Sequence, residues 1–308
     1  MSLSIFLAVL LSSCPDNSGT GGGTGGGTVA LPFTGKFTLD EYDFISKKRL
    51  SVIDIQLPAG QKTRVLGGFI PWRHPQGKVT FLQSCGAVVQ RVMIADKQGL
   101  ITPVSPCSSD IRSPSAFSSN FDSSRLSSDQ QKVAVESYYL EEQFPNNSVY
   151  TVIVYDLTGN QLSTFVRYYS PAWLSDGRLV MAGNGIYVTD GNLQNLTRID
   201  GNKLNGPVNN FAIHPSGDRI AFEYNQQLWQ INVDGSDLKQ VISGAKTPKH
   251  PAWSPDGKTL AFLKLNNNGD YDKAIYFYDI ASSKESSLDM SSQLGVGISF
   301  NGPLSWTQ

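Results

Sequence analysis

Short apolar stretches separated by turn-forming residues run along most of the chain. Three segments, at residues 171–177, 211–217 and 251–257, share one order in which a short apolar run leads into a turn that ends at a glycine. These glycines, Gly177, Gly217 and Gly257, are 40 residues apart, and each precedes a charged residue and a second apolar run. The order predicts two antiparallel strands joined by a tight turn. A fixed period in the 40s predicts the blades of a β-propeller.

Less well matched copies of the pattern occur toward the N-terminus, at residues 71–77 and 126–130. A second marker, an apolar run that ends in aspartate before a turn, occurs six times, at Asp54, Asp96, Asp156, Asp190, Asp234 and Asp279. We expect these carboxylates to cap turns by accepting backbone N–H bonds, rather than to act in catalysis. Six copies predict six blades.

The first blade lacks a recognisable first strand, whereas the chain ends with one strand in excess. Residues 303–306, Pro-Leu-Ser-Trp, repeat the Pro251-Ala252-Trp253 motif near the C-terminus. We therefore expect the last strand of the chain to complete the first blade, which removes free sheet edges.

The run Pro-Ala-Trp-Ser-Pro-Asp-Gly-Lys-Thr-Leu-Ala-Phe at residues 251–262, followed by the strand that ends at Asp279, resembles the WD40-like repeat of TolB-type propellers. The resemblance covers about residues 33 to 308. It implies an all-β fold, a six-bladed β-propeller of four-stranded antiparallel blades. The α/β domain that precedes the propeller in TolB itself has no counterpart in this sequence.

The N-terminal segment is typical of an exported protein. Residues 5–11 are apolar, and Leu11-Ser12-Ser13-Cys14 resembles the lipobox of bacterial lipoproteins. The resemblance implies a signal peptide at residues 1–13 and a lipidated Cys14; a secretory signal cleaved elsewhere, with Cys14 an ordinary thiol, stays open. Residues 14–32 are rich in Gly and Thr and predict a flexible tether before a single propeller at residues 33–308.

These features predict a bacterial cell-envelope protein, lipid-anchored and facing the periplasm, with the outer membrane favoured over the inner. Cys85 and Cys107 are then the remaining cysteines, and we expect them to form a disulfide. The 25 Lys+Arg and 26 Asp+Glu give a net charge of −1, which supplies no overall attraction for nucleic acid. We expect no nucleic-acid partner, a membrane contact through the lipid anchor only, and a monomer.

The two faces of the predicted ring differ in their loops. Turns between strands one and two, and between three and four, lie on one face, which we call the short-turn face. Connections between strands two and three, and between blades, lie on the other, the long-loop face. Long irregular connections are expected there at residues 105–127, 137–149 and 265–273. Recognition concentrates in loops on rigid scaffolds, so we expect binding at the long-loop face.

Aromatic and arginine side chains are favoured binding anchors. We expect Trp72, Arg73, Arg112, Arg167, Tyr168 and Tyr169 where the blades enter the central channel from the long-loop side, although packing of Tyr168 and Tyr169 between blades stays open. His74 and His214 occupy equivalent turn positions, whereas His250 lies near the long-loop mouth. The predicted partner-binding residues are Trp72, Arg73, Arg112, Tyr138, Tyr139, Phe144, Arg167, Tyr168, Tyr169, His250 and Tyr271.

Motifs for catalysis are missing from the sequence, which contains no Gly-x-Ser-x-Gly, His-Glu-x-x-His or Cys-x-x-Cys pattern. The acidic segment at residues 266–272 departs from the EF-hand order, so we expect neither a metal nor another cofactor. The sequence favours a non-catalytic protein that binds an envelope protein or a peptide. The alternatives are a propeller-type enzyme, a polysaccharide lyase or hydrolase or one associated with peptidase activity, and a degenerate duplicate without a ligand.

Overall fold

The computed structural model describes residues 34–43, 48–57, 61–66, 68–85, 90–107, 116–141, 144–244, 246–266, 269–291 and 298–308. These residues form 24 β-strands in six four-stranded antiparallel sheets, which confirms the predicted all-β fold. None of them belongs to a helix that could span a membrane. The predicted signal peptide, Cys14, the tether and Arg112 lie outside these ranges.

The blades follow one another along the chain, each with its first strand on the central channel. Blade A contains β24 (Ile298–Thr307), β1 (Gly35–Asp43), β2 (Lys48–Leu57) and β3 (Gln61–Leu66), and blade B contains β4 (Phe69–Arg73), β5 (Val79–Ser84), β6 (Gln90–Ala95) and β7 (Ile101–Pro103). Blade C contains β8 (Ala116–Leu126), β9 (Lys132–Glu141), β10 (Phe144–Asp156) and β11 (Gln161–Val166), and blade D contains β12 (Tyr169–Trp173), β13 (Leu179–Ala182), β14 (Ile186–Thr189) and β15 (Leu196–Arg198). Blade E contains β16 (Val208–Ile213), β17 (Arg219–Tyr224), β18 (Gln227–Asn232) and β19 (Lys239–Ile242), and blade F contains β20 (Thr247–Trp253), β21 (Thr259–Leu265), β22 (Ala274–Asp279) and β23 (Lys284–Asp289).

The C-terminal strand β24 closes the ring, as predicted. It pairs antiparallel with β1, and Trp306 lies opposite Phe37. The Trp306 indole packs 4.9 Å from the Phe37 ring and 5.7 Å from the Phe277 ring of blade F, and its Nε1 donates to the Thr34 carbonyl at 3.2 Å. One tryptophan therefore joins both ends of the chain to the last blade.

Five of the six repeated aspartates cap turns, as predicted. Asp96, Asp156, Asp190, Asp234 and Asp279 each accept backbone N–H bonds from residues that follow them in the turn. Asp54 is the exception, because it lies inside β2 rather than at its end and forms an ion pair with Arg73 of blade B. The prediction that Asp54 caps a turn is therefore wrong.

Buried carboxylates fasten blade A to blade B and blade E to blade F. At one position of the second strand, blades A, C and E carry Asp40, Glu136 and Glu223, whereas blades B, D and F carry Leu82, Ala182 and Leu263. Asp40 Oδ2 accepts the Ile70 N–H of blade B, and Glu223 Oε1 accepts the His250 N–H of blade F, both at 2.7 Å. Ile70 and His250 have φ of 51° and 53° and lie in bulges of the innermost strands. The carboxylates thus hold a backbone conformation that is unusual for these residue types.

Two of the connections expected to be irregular contain long strand segments. Residues 116–126 form β8, and residues 137–141 and 144–149 extend β9 and β10. Cross-strand pairing satisfies the backbone groups of this segment, with Tyr138 opposite Tyr150. In the third connection, at residues 265–273, an isolated antiparallel β-bridge pairs Leu265 with Tyr271.

Candidate functional site

Five tyrosines from blades C and D meet on the long-loop face. We call this group the tyrosine rim; it consists of Tyr138, Tyr150, Tyr168, Tyr169 and Tyr187. The Tyr150 ring lies 6.1 Å from that of Tyr138 and 5.5 Å from that of Tyr169, and the Tyr168 and Tyr187 rings are 5.1 Å apart. Tyr150 is 39% exposed, which is high for a large aromatic side chain held in a strand. The rim offers aromatic surface to solvent on a rigid sheet.

The local backbone positions these rings. Tyr168 and Tyr169 follow β11 directly, where the Arg167 N–H donates to the Tyr150 carbonyl at 2.7 Å. The Tyr169 hydroxyl donates to the Gly183 carbonyl at 3.2 Å. A Cβ at Gly183 would lie 3.1 Å from the Tyr187 ring and 3.3 Å from the Tyr168 ring, so glycine allows this close packing. Tyr168 and Tyr169 are half-buried, and burial raises the pKa of both hydroxyls, which keeps them protonated.

A shallow pocket of about 450 Å³ adjoins the tyrosine rim between blades D and E. Tyr169, Asn184, Arg198 and Asn205 supply polar groups to its walls. Buried Asp200 holds the Arg198 guanidinium through two contacts of 2.8 and 2.9 Å. Burial raises the pKa of Asp200, but Arg198 and two backbone N–H groups outweigh burial and lower it overall. The pocket therefore presents a fixed cation and amide groups beside the aromatic rings.

A polar cluster lies in the channel at the long-loop end of blades E and F. Glu223 is buried and accepts Asn210 Nδ2 at 2.7 Å, Lys249 Nζ at 2.8 Å and the His250 N–H at 2.7 Å. His250 Nε2 lies 2.7 Å from the Tyr271 hydroxyl. All three donors to Glu223 belong to the protein itself, so the carboxylate is already hydrogen-bonded and stabilises the bulge at His250.

Trp72 and Arg73 lie at the other end of the channel from the one we expected. They are the last residues of β4, and each first strand runs from the long-loop face toward the short-turn face. The Arg73 side chain donates to the Gly77 carbonyl of the adjacent short turn and pairs with both oxygens of Asp54, at 2.9 and 2.8 Å. The predicted position of both residues is therefore wrong, and the Arg73 charge is used inside the protein.

Of the remaining predicted binding residues, three have side chains that the structure describes and two do not. Arg167 is exposed at the link between β11 and β12, and His250 and Tyr271 lie together at the channel. Tyr139 and Phe144 belong to β9 and β10, but their side chains lie outside the described part of the structure. Their role in binding, like that of the tyrosine rim, stays a prediction.

A cavity of about 420 Å³ runs along the channel from Asn210 and His250 to the short turns, and its walls include Trp173, Trp253 and Trp306. Arg125, which sequence reasoning missed, lines this cavity and is 9% exposed. Burial lowers the pKa of Arg125 to about 10, although Glu136 acts in the opposite direction. The sequence does contain a signal for this residue. Once β8 is recognised as a first strand, Arg125 aligns with the alanines at positions 172, 212 and 252.

The predicted disulfide is present. Cys85 follows β5, Cys107 follows β7, and their Cα atoms are 6.4 Å apart. The bond joins two connections on the long-loop face of blade B. Within the described ranges, no three or more His, Cys, Asp or Glu side chains group in a way that could hold a metal ion.

Comparison with known proteins identifies the fold. No family model matches the sequence. Among curated proteins, 68 residues are 28% identical to Dipeptidyl-peptidase 5 from Porphyromonas endodontalis, which is 19% of this chain and only 10% of that protein. The chain thus matches about a tenth of the length of this relative.

Solved structures match over most of the chain. TolB from Acinetobacter baumannii is 17% identical, with a TM-score of 0.51, over 83% of this chain and 66% of that one. A structure of the nidogen/laminin complex is 13% identical, with a TM-score of 0.57, over 88% of this chain and 98% of that one. An oligogalacturonate lyase from Vibrio parahaemolyticus is 10% identical, with a TM-score of 0.53, over 82% of this chain and 79% of that one. At these identities the similarity establishes the propeller fold, including its likeness to TolB, and nothing further.

Proposed function

We propose that this chain is a non-catalytic protein of the bacterial cell envelope that binds a protein or peptide partner through the tyrosine rim of its long-loop face. The observation that carries the proposal is the packing of Tyr138 and Tyr169 against a partly exposed Tyr150, beside the packed pair of Tyr168 and Tyr187. Tyrosines of this kind supply large, rigid contact area at low entropic cost. The adjoining pocket adds the fixed Arg198 guanidinium and two asparagine amides. Aromatic anchors beside a few polar groups are typical of protein-binding sites.

The position where the chain enters the propeller supports the long-loop face as the binding face. β1 begins on the short-turn face, because Lys36 pairs with Thr307 at the end of β24. A lipid anchor at Cys14 would hold this face nearest to the membrane. The long-loop face would then point away from the membrane and toward partners. The envelope setting itself rests on the lipobox-like segment Leu11-Ser12-Ser13-Cys14.

Photo-crosslinking in intact cells tests the proposal. A crosslinking amino acid at position 150 should capture a specific partner, whereas one at Leu162, which is 47% exposed on the outermost strand of the same blade, should not. The partner identified in this way should bind more weakly to Tyr150→Ala than to the unmodified protein, and the melting temperature should not fall, because the ring is not in the core. Equal capture from positions 150 and 162, or no capture from 150, would count against the tyrosine rim.

An enzyme of the propeller type is the second candidate. His250 and Tyr271 form a hydrogen-bonded pair beside buried Glu223, an arrangement that could transfer protons. The three structural donors on Glu223 argue against its use as a base or nucleophile, which is why binding is preferred. Because one protein of this fold is an oligogalacturonate lyase, incubation with oligogalacturonate and with peptide pools tests the idea. Product formation that His250→Ala abolishes would favour the enzyme.

A further inference from the structure

The channel cavity has an unusual balance of charge. Among the described residues that line it, the ionisable side chains are two arginines and three histidines, and none is Asp or Glu. Arg73 is neutralised by Asp54, with side-chain N–O distances of 2.8 and 2.9 Å. Arg125 has no such partner, since no carboxylate in the described part of the chain lies within 4 Å of its guanidinium. The cavity therefore holds one buried cation that no carboxylate contacts directly.

Arg125 departs from the repeat in a way that packing does not require. Blades D, E and F carry alanine at the equivalent position, blade A carries Ser305, and blade B carries Trp72. The Arg125 guanidinium donates to the Ser124 carbonyl at 3.0 Å and lies 5.9 Å from the centre of the Trp72 ring. Glu136, whose charge acts on Arg125 from farther away, accepts the Ser123 hydroxyl at 3.0 Å. Most of the five N–H donors of the guanidinium remain available toward the cavity.

A buried charge is costly unless a counter-ion and hydrogen bonds compensate it. The cavity offers room for a compensating anion, because about 420 Å³ falls within the range of small-ligand sites. Trp173, Trp253 and Trp306 form apolar walls, and Pro215 and Pro255 lie at the short-turn end. A ligand that fits these features has an anionic head for Arg125 and an apolar body for the indoles.

We propose that the short-turn half of the channel binds an organic carboxylate with an apolar body, with the carboxylate on Arg125 and the body between the tryptophans. A guanidinium binds a carboxylate through paired hydrogen bonds. A free organic acid and the C-terminal residue of a peptide both present this chemistry. The site lies at the opposite end of the channel from the tyrosine rim, so it stands or falls independently of the proposed function.

Binding to the full mature chain can be measured by tryptophan fluorescence and by calorimetry. The probes are 3-phenylpropionate, its neutral amide 3-phenylpropionamide, and the peptide Ala-Leu-Phe with either a free or an amidated C-terminus. We expect both carboxylates to bind at least about tenfold more tightly than their amides, because a charged hydrogen-bond partner is lost in the amide. If only the free acid binds, the ligand is a small molecule; if the free peptide binds more tightly, the ligand is a chain end.

Two variants separate binding from structure. Arg125→Met should weaken carboxylate binding by about tenfold or more while leaving the melting temperature unchanged or higher, because it removes a buried charge that no carboxylate contacts. Arg178→Met removes an exposed arginine of the same face, 37% exposed beside Asp176, and should leave binding unchanged. Equal affinity for acids and amides in the unmodified protein, or undiminished carboxylate binding by Arg125→Met, would overturn the proposal. Absence of saturable binding by every probe would do the same.

Discussion

The ion pair between Arg73 and Asp54 should contribute strongly to the stability of the closed ring. It joins β4 of blade B to β2 of blade A, and the Arg73 N–H also donates to Ser305 Oγ of the closing strand at 3.1 Å. The two side chains are only 12% and 10% exposed. Removing one partner of such a pair leaves a buried charge and costs about 3–5 kcal/mol. Lys36 Nζ lies 3.4 Å from Asp54, so Arg73→Met should fall at the lower end of this range.

A double-mutant cycle measures this contribution. Urea unfolding of Arg73→Met, Asp54→Ala and the double variant should give a coupling free energy of about 2 kcal/mol or more, because the double variant leaves neither charge buried alone. The matched control is the cycle of Arg178→Met with Asp176→Ala, whose side chains are 37% and 51% exposed. That surface pair should couple by less than about 1 kcal/mol. Equal coupling in the two cycles would refute the argument that burial makes the closure pair important.

Three further predictions follow from the same structure. Deleting residues 301–308 should lower the melting temperature sharply, since β24 completes blade A, and a truncated protein that melts like the full chain would refute closure by this strand. Replacing Cys85 and Cys107 with serine, which opens a bond spanning 22 residues, should lower the free energy of unfolding by about 3 kcal/mol; melting that is insensitive to both the variant and reductant would contradict it. Side-chain bonds in its turn lower the pKa of Asp156 to about 2, so its contribution is present above the unfolded pKa of about 3.9 and is lost as the pH falls toward 2. Urea midpoints between pH 5 and pH 2 should therefore depend less on pH in Asp156→Asn, and identical pH profiles would exclude this contribution.

The fold could be predicted because its signals are local. The turn glycines, the aspartates at strand ends and the fixed period each lie within one blade, and closure followed from the surplus strand at residues 303–306. The disulfide was predictable from export and an even cysteine count. None of these predictions required knowledge of which side chains meet across the ring.

The sites depended on contacts between blades and on the register of paired strands, which the sequence does not display. Trp72 and Arg73 were assigned to the wrong end because strand direction, rather than position in the repeat, decides the face that a residue approaches. Asp54 follows an apolar run, as the turn aspartates do, but β2 continues past it to Leu57. Its carboxylate therefore pairs with Arg73 instead of with backbone N–H groups of a turn. The pairing of Tyr138 with Tyr150 depends on a hairpin register that the predicted loop concealed.

Departures from the repeat are informative because the repeat itself records what packing requires. Blades D, E and F share alanine at the channel position where blade C carries Arg125, and their second strands end after four to seven residues, whereas β9 has ten. Both departures cost something, since one buries a charge and the other exposes tyrosines, and neither is needed to complete a blade. Residues that break a packing rule without a packing gain are expected at functional sites. Blade C breaks the rule at each end, with Arg125 toward the short-turn face and Tyr138 and Tyr150 toward the long-loop face, so it is the blade on which function should concentrate.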